Sequence, residues 1–349
     1  MKHPTFNHIS AVAAFLLANA ADLAAAPSYR VVDLGLINPF ATPSASAGIN
    51  ASGQVAGIGG GQAFIGDGHS IAAITIGLGL TINDSNQVAG FAYDFPRNDS
   101  MQAQAFRWNG SAIQKLGIPN SFGLGINNLG QVSGALDSTG NTDYRAFIWD
   151  GTTPPQVLGT LGGSSSYGSG INDSGWSTGA SDTGDNGAIH AFVWNGNTMR
   201  DIGTLGGEHL PSSYGVAINE QGWVTGWSFH YDADWNIVNR AFLWDGTMHD
   251  LGSLSGASET YGYGINSLGQ VVGSSIDYGG MMGFGYGKPN PKDFAFLYAN
   301  GELWKLNELI DPTSTGWSIL LATGINDNGQ IAASGCHPQL GCRALRLDP

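Results

Sequence analysis

One copy of the unit that fills most of this chain runs from Ser166 to Gly207 and reads SYGSGINDSGWSTGASDTGDNGAIHAFVWNGNTMRDIGTLGG. It holds three landmarks in a fixed order: an Ile-Asn pair before a glycine turn, an Ala-Phe strand, and a closing Asp-Ile-Gly. The first landmark recurs at Asn50, Asn83, Asn127, Asn172, Asn219, Asn266 and Asn326. The second recurs at Phe64, Phe106, Phe147, Phe192, Phe242 and Phe296, with Leu345 in the last place. Both series indicate seven repeats.

Each repeat is predicted to form four short strands. In the quoted copy they are residues 167–171, 176–179, 190–194 and 199–203. Asn and Asp tolerate left-handed backbone and glycine supplies positive φ, so the N-D-x-G and N-G turns between them indicate hairpins. Four strands in a repeat of about 45 residues are typical of a propeller blade. We therefore predict an all-β fold, a seven-bladed β-propeller of four-stranded antiparallel blades.

The third strand of each repeat predicts how the blades pack. Phe192 and Trp194 point to one face of their strand, and Ala191 and Val193 point to the other. Large aromatic side chains of one blade can then pack on the small face of the next. We interpret the repeated tryptophans as core residues rather than ligand-binding residues: Trp108, Trp149, Trp194 and Trp244.

The two ends of the chain predict how the ring closes. Tyr29 to Gly35 matches a fourth strand but precedes any first strand, and Arg343 to Pro349 matches a third strand with no fourth after it. The N-terminal strand is therefore expected to complete the last blade. Cys336 and Cys342 are the only cysteines, and in an exported protein such a close pair is expected to form a disulfide. A metal site there is disfavoured because zinc needs about four ligands.

Residues 1–26 read as a secretory signal peptide, with a short apolar core before small-residue cleavage sites between Ala20 and Ala26. A buried N-terminal helix is the alternative. Residues 27–349 then form the propeller, and we expect a secreted protein, extracellular or periplasmic, without a membrane span. The net charge of −14 with 13 Lys and Arg argues against nucleic acid and anionic membranes as main partners. A monomer is expected.

The ordered motifs of the chain resemble a known family. Residues His190–Phe192, Gly264–Gly273 and Asp201–Gly207 carry them as HAF, GINSLGQVVG and DIGTLGG. Together they resemble the HAF family of probable extracellular repeats, over about residues 29 to 349. The resemblance implies an exported repeat protein and supplies no catalytic residues. The histidine of the motif occurs here only at His190.

Candidate binding residues lie where the repeats vary, because binding usually resides in variable loops on a rigid scaffold. Aromatic residues stand five positions before a repeated asparagine at Phe122, Tyr167, Tyr214 and Tyr261. If the first strands line the central channel, these rings surround its mouth and offer a surface for stacking on sugars. The alternative is that they pack between blades.

A loop of the fifth repeat adds a second group of candidates. Its residues 227–235 are rich in aromatic and acidic side chains, and the candidate ligand-binding residues are Trp227, His230, Asp232 and Trp235. Aromatic planes beside carboxylates suit a carbohydrate site. The alternative is a solvated acidic loop. Residues 137–143 and 182–185 resemble fragments of calcium loops but lack the full ligand series, so no metal or cofactor is expected.

The sequence carries none of the common catalytic motifs. We therefore expect a binding module or scaffold for an extracellular glycan or a surface protein. A carbohydrate-active enzyme is the second hypothesis: a glycoside hydrolase, or a polysaccharide lyase using His190, His209 and His230 with Arg145, Arg240 and Tyr231. His190 occupies a repeat position, however, and is better explained as architectural. A structural matrix or cell-surface protein without a small ligand is the third hypothesis.

Overall fold

The computed structural model shows an all-β molecule of antiparallel sheets. It describes residues 27–37, 44–94, 102–140, 143–152, 154–184, 187–206, 212–254, 259–276 and 293–349. The predicted signal peptide, His209 and most of the connection after residue 276 lie outside this set. No helix within it is long and apolar enough to cross a membrane. The prediction of an all-β fold with four-stranded antiparallel sheets is confirmed.

The described strands form six hydrogen-bonded sheets. One follows the order β1 (Arg30–Asp33), β27 (Gly341–Asp348), β26 (Ile331–His337), β25 (Ser318–Ile325). A seven-stranded sheet contains β2 (Ala45–Ile49), β3 (Val55–Gly59), β4 (Gln62–Gly66), β5 (Ile71–Ile82), β6 (Val88–Asp94), β7 (Gln102–Trp108) and β8 (Ile113–Lys115).

The other four sheets have four strands each, in chain order. The first pair contains β9 (Ser121–Ile126), β10 (Val132–Asp137), β11 (Tyr144–Trp149), β12 (Gln156–Val157), then β13 (Ser166–Ile171), β14 (Ser177–Asp182), β15 (Ile189–Trp194), β16 (Met199–Asp201). The second pair contains β17 (Ser213–Ile218), β18 (Val224–Tyr231), β19 (Ile237–Trp244), β20 (Met248–Asp250), then β21 (Glu259–Ile265), β22 (Val271–Ile276), β23 (Phe294–Ala299), β24 (Glu302–Lys305). Short 3-10 turns follow at Leu306–Leu309 and Pro312–Ser314.

The seven-stranded sheet contains two repeats joined by one continuous strand. β5 pairs with β4 over residues 71–76 and with β6 over residues 77–82. Gly77 lies at the change of partner with φ 142°, a backbone angle that glycine adopts without a steric penalty. The first two repeats therefore keep the four-strand plan, although the chain passes between them without the loop seen elsewhere.

The core is formed where the third strand of one sheet faces the next sheet. Phe192 is fully buried and packs with Ile171 of its own sheet and with Ala146 and Ile148 of the preceding one. The following junction repeats this contact, with Phe242 against Ala191. Each such side chain contributes about 1.5–3 kcal/mol by leaving water. The predicted packing of large aromatic residues on small neighbours is confirmed, and the repeated tryptophans belong to this core.

Every repeat places a β-bulge between its first and second strands. In the fifth repeat Gly215 and Ala217 pair with consecutive residues of β18, so one extra residue stands between them. The bulge pushes the carbonyl of Tyr214 towards Gly226, where a Cβ atom would overlap its oxygen. This close approach explains why Gly226, in the middle of the second strand, is a glycine although it does not lie in a turn.

The repeated asparagines form a closed cycle of hydrogen bonds. Each is at most 7% exposed, and its Nδ2 donates to the backbone carbonyl of the asparagine in the next repeat. Asn326 donates in turn to the carbonyl of Asn50 at 2.8 Å. Each Oδ1 also accepts from the backbone N–H four residues on. These hydrogen bonds therefore link the seven repeated asparagines in one cycle.

The chain ends pair as expected. β1 lies antiparallel to β27, with Arg30 opposite Asp348 and Asp33 opposite Leu345. Tyr29, 2% exposed, anchors the strand by donating its N–H to the carbonyl of Leu309 at 2.7 Å. Burial raises the pKa of its phenol to about 12. The predicted disulfide, Cys336 to Cys342, is present and joins β26 to β27 in the same sheet.

Candidate binding site

The aromatic residues singled out in the sequence lie near the beginnings of the first strands. Tyr167 in β13 stands opposite Ala180, and Tyr214 in β17 stands opposite Trp227. The repeated asparagines follow the other ends of these strands. Because equivalent strands lie side by side around the repeat array, the aromatic rings share one rim and the asparagine cycle lies at the opposite one.

One series of ring contacts runs along this rim and ends at Tyr167. The ring of Phe91 lies 5.0 Å from that of Phe122 in an edge contact. Tyr144 continues the series at 5.9 Å from Phe122 and 5.4 Å from Tyr167. Aromatic pairs of this kind stabilise a fold by more than the apolar surface area that they bury. Phe91 and Tyr144 were not singled out from the sequence, because they occur on second and third strands rather than at the repeated position.

A second group of rings centres on Trp227. Its indole stacks on Tyr214 with 5.1 Å between centroids and 19° between planes. It also contacts Tyr261 edge-on at 5.5 Å and Tyr263 at 6.4 Å. The stacking follows from the strand register, which places Tyr214 and Trp227 directly opposite each other. Two aromatic side chains thereby form one continuous wall.

A pocket of about 230 Å³ separates the two groups of rings. Tyr167 lies on one side, Tyr214 and Trp227 lie on the other, and Ala180 and Asp182 contribute to the lining between them. The pocket is open because Ala180 occupies the strand position that Trp227 occupies in the next repeat. A methyl group there leaves the volume that an indole fills in the fifth repeat. Three predicted residues thus line a single cavity.

Asp182 gives the pocket a fixed negative charge. Its Oδ2 accepts from the hydroxyl of Ser164 at 2.8 Å and from the backbone N–H of Ser165 at 3.0 Å. Burial and then the charge of Asp182 raise the pKa of Tyr214. Burial, Tyr144 and Asp182, in that order, raise the pKa of Tyr167. The carboxylate therefore acts on the phenols on both sides of the cavity.

Tyr261 packs against Trp227 and does not itself line the pocket. It is 1% exposed, its hydroxyl donates to Glu259 Oε2 at 2.5 Å, and it accepts from Asn239 Nδ2 at 3.0 Å. Burial raises the pKa of this phenol strongly, and the hydrogen bond and charge of Glu259 add to the effect. The ring of Tyr261 is therefore packed in the interior, which was the alternative to a binding role. Tyr167, in contrast, is 39% exposed and accessible to a ligand.

The other predicted residues lie on a separate hairpin. Residues 232–236 connect β18 to β19, and Trp235 in this turn is 79% exposed with φ 63°. Asp232 shapes this turn by accepting from the backbone N–H groups of Asp234 at 2.9 Å and Asn236 at 2.8 Å. The described residues that line the pocket do not include His230, Asp232 or Trp235. The structure therefore divides the predicted residues between two places.

The two described histidines proposed for acid–base chemistry contact different aspartates. His190 Nδ1 hydrogen-bonds Asp201 Oδ2 at 2.7 Å across β15 and β16. Burial opposes ionisation of Asp201, but hydrogen bonds from His190 and a backbone N–H hold its pKa below the ordinary value. His230 Nε2 lies 4.0 Å from Asp250 Oδ2, and both residues belong to the sheet after the one that contains His190. His209 lies outside the described residues. His190 thus links the third and fourth strands of its own sheet.

The remaining members of that set are engaged locally. Arg145 donates to the carbonyl oxygens of Tyr144, at 3.1 Å, and Ser164. Arg240 donates to the carbonyl oxygen of the residue before it at 3.2 Å, and the ring of Tyr231 lies 5.5 Å from that of Trp235. These contacts position loops and strand ends and do not form an acid–base pair.

A second cavity, of about 240 Å³, opens at the asparagine rim. Carboxylates from four repeats surround it: Asp84, Asp173, Glu220 and Asp327. Each accepts a backbone N–H from the preceding repeat. Burial raises the pKa of Glu220, and the charges of Asp173 and Asp327 raise it further. The sequence held a signal for this group, since acidic residues often follow the repeated asparagine, but turn chemistry alone accounts for that position in the sequence.

No cluster of three or more His, Cys, Asp or Glu side chains suited to a metal ion occurs within the described residues. Of the calcium-like fragments, Asp137 is a turn residue whose Oδ1 accepts from the backbone N–H groups of Thr139 and Gly140. Asp182 belongs to the pocket. The rest of both fragments lies partly outside the described residues.

Comparison with solved structures finds proteins of low sequence identity. The β-propeller domain of the trilobed protease from Pyrococcus furiosus is 11% identical, with a TM-score of 0.43 over 71% of this chain and 74% of that one. For the acylaminoacyl peptidase of Pyrococcus horikoshii the values are 11%, 0.49, 84% and 50%. For a gluconolactonase from Xanthomonas campestris they are 11%, 0.37, 92% and 94%. At this identity they say nothing about what this chain binds or catalyses.

Sequence comparison identifies the family. No curated protein matches the chain. The profile of a family described as "Protein of unknown function (DUF3466)" matches residues 159–340, which is more than half of the chain and includes the pocket described above. This chain therefore belongs to the DUF3466 family.

Proposed function

We propose that the chain forms a seven-bladed β-propeller closed by β1, with β5 serving as the last strand of one blade and the first of the next. The seven sequence repeats, the pairing of β1 with β27 and the asparagine cycle all support this architecture. Deleting residues 29–34 should then lower the melting temperature well beyond the effect of ordinary terminal trimming, because it exposes an edge and removes a buried tyrosine. An unchanged melting curve would contradict closure.

We also propose that the protein is exported and belongs among the HAF-type extracellular repeats. The ordered motifs and the predicted signal sequence support this location. The disulfide between Cys336 and Cys342 supports it independently, because such bonds persist in oxidising compartments. An extracellular or periplasmic protein meets polysaccharides and surface proteins before it meets most other ligands.

We propose that the protein binds an extracellular glycan in the pocket between Tyr167 and Trp227. One observation carries this proposal: three aromatic side chains from two adjacent repeats surround a cavity of about 230 Å³ that also holds a carboxylate. Aromatic faces pack well against the apolar faces of sugar rings, and a few polar groups then fix orientation. The site lies on the rim whose connections vary most, as expected for a binding surface on a regular scaffold.

The pocket favours binding over catalysis. Glycoside hydrolysis generally uses two carboxyl groups on either side of the scissile bond. The described lining residues supply one carboxylate, Asp182, and no histidine. His190 is engaged with Asp201 in its own sheet. A retained, intact polymer is therefore the expected result.

The test is retention of the purified protein on a panel of immobilised extracellular polysaccharides, with polymer size followed in parallel. Tyr214→Ala and Trp227→Ala should weaken retention by about tenfold, which corresponds to about 1.4 kcal/mol of lost stacking. Trp235→Ala is the matched control, because it removes an exposed aromatic ring outside the pocket. Melting curves of the variants establish that they remain folded.

Different results would redirect the proposal. Loss of binding in Trp235→Ala alone would move the site to the hairpin tip. Shortened polymer would indicate a lyase or hydrolase. Absence of both retention and cleavage across the panel would reject the glycan proposal in favour of a surface-protein ligand or a structural role.

A further inference from the structure

We infer that the pocket between Tyr167 and Trp227 selects a ligand group that carries a positive charge, namely an alkylammonium group. The primary amine of an amino sugar and a quaternary ammonium head group share this chemistry. The inference rests on the proposed binding site and specifies the chemistry of what enters it.

The aromatic walls favour a cation. The faces of aromatic rings carry negative potential, and an ammonium group within about 6 Å of a ring centroid is attracted to it. Tyr214 and Trp227 form one wall through their stacked rings, and Tyr167 stands across the cavity. Rings on two sides of a small cavity make the arrangement by which proteins recognise quaternary ammonium and methylated lysine groups.

Asp182 adds a full negative charge to this arrangement. Among the described lining residues it is the one charged group, and Ala180 and Ile189 are apolar. The hydrogen bonds from Ser164 and Ser165 hold its Oδ2, so the carboxylate is fixed in advance. A cation entering the pocket gains the attraction of a nearby opposite charge, whereas a neutral ligand of the same shape does not.

Among the described residues that line the cavity, none carries a positive charge that would neutralise Asp182. Arg145, on the third strand of the preceding sheet, directs its guanidinium to the backbone carbonyls of Tyr144 and Ser164. Burial is the main cause of the raised pKa values of Tyr167 and Tyr214, and the charge of Asp182 adds to both. The net charge of −14 further raises the local concentration of cations.

The first experiment compares choline with 3,3-dimethylbutan-1-ol, which has the same shape without the charge. Binding to the purified protein is followed by calorimetry and by tryptophan fluorescence. Choline should bind saturably, and the neutral alcohol should bind at least tenfold more weakly. Equal affinity for the two probes, or no binding of choline, would overturn the inference.

Two variants localise the effect. Asp182→Asn keeps an oxygen to accept from Ser164 and Ser165 but removes the charge, and it should lower choline affinity at least tenfold. Ala180→Trp places in the pocket the residue that the next repeat already carries at this position, and it should abolish choline binding. Trp235→Ala should leave choline affinity within twofold. Choline binding that survives both pocket variants, in proteins with wild-type melting curves, would place the cation elsewhere and refute the assignment.

A final comparison separates the two sources of the charge and the two proposals. Glucosamine binding without binding of N-acetylglucosamine assigns the site to a free amino sugar, and choline binding without glucosamine binding assigns it to a quaternary head group. Either result supports the inference. Retention on neutral polysaccharides with no response to any ammonium probe would refute it and leave the proposed glycan function intact. Binding of ammonium probes with no polysaccharide retained would refute the glycan function and leave the inference standing.

Discussion

Replacing Asn127 with aspartate tests whether the asparagine cycle stabilises the fold. Asn127 is 3% exposed. Its Nδ2 donates to the carbonyl of Asn172 at 2.9 Å and to Gln131 Oε1 at 2.8 Å, and its Oδ1 accepts from the backbone N–H of Gln131 at 2.8 Å. Aspartate keeps the acceptor, loses both donated bonds, and brings a carboxylate oxygen against two other oxygen atoms.

The expected loss follows from these contacts. A buried hydrogen-bonding group left without its partner costs about 1–3 kcal/mol, so two such losses should lower the free energy of unfolding by about 4 kcal/mol at pH 7. Burial should raise the pKa of the new carboxyl above its value in the unfolded chain. A protonated carboxyl can donate one of the missing bonds. The deficit should therefore be smallest at low pH and grow as the pH rises through the pKa of the folded state.

Urea unfolding at pH 4 and pH 7, relative to wild type at each pH, measures both effects. Asn172→Asp should lose about 2 kcal/mol less, because Trp176 replaces the glutamine and only one donated bond is lost. Asn195→Asp is the control. The side chain of this exposed turn residue accepts hydrogen bonds from the backbone N–H groups of residues 197 and 198 and from the hydroxyl of Thr198, and aspartate can do the same. If Asn127→Asp is no less stable than Asn195→Asp, or its deficit does not change with pH, the reasoning fails.

Three further predictions concern stability. Gly226→Ala should lower the free energy of unfolding by about 3 kcal/mol, because its Cβ overlaps a carbonyl oxygen, whereas Gly66→Ala, with its nearest neighbour at 3.5 Å, should be tolerated; similar melting temperatures would contradict the role given to the bulge. Replacing both Cys336 and Cys342 with alanine should remove about 2 kcal/mol, and reductant should then have no further effect; full stability would show that the bond is dispensable. Asp201→Asn should reduce stability at pH 7 by less than about 1 kcal/mol, since the carboxylate is partly exposed. Because the pKa of Asp201 is lowered from 3.8, its contribution should be present above that value and lost as the pH falls through the folded pKa. A pH-independent deficit in urea unfolding would therefore contradict the role given to the hydrogen bond between His190 and Asp201.

Local chemistry explains why so much of the fold could be predicted. The asparagine and glycine turns mark the strand ends directly, and the third strand predicted at residues 190–194 is observed as Ile189–Trp194. Alternation along that strand also predicted the packing of Phe192. The asparagine cycle could not be predicted in this way. Its acceptor contact is local and follows from turn chemistry, but its donor contact is with the next repeat and depends on how the sheets sit together.

The candidate site shows the same division. Tyr167 and Tyr214 share a position in the repeat, and both line the pocket. Whether each ring is accessible depends on the side chain opposite it and on the neighbouring sheet. Ala180 opens a pocket beside Tyr167, whereas Asn239 and Glu259 hold the hydroxyl of Tyr261 in the interior. The repeat pattern therefore predicts where the aromatic rings lie. Whether a ring is accessible depends on the size of the side chain opposite it and on contacts between sheets.

The asparagine cycle also bears on how such a chain can change its length. Open repeat arrays gain or lose units at their ends, because each unit contacts only its neighbours. Here the donor of Asn326 returns to Asn50, so the circuit has no terminus at which a unit could be appended. Removing one repeat would leave a donor and a carbonyl facing each other across a gap until all the others shifted. A change in the number of repeats would therefore disturb the whole cycle, whereas a change in the length of a connecting loop would leave its hydrogen bonds in place.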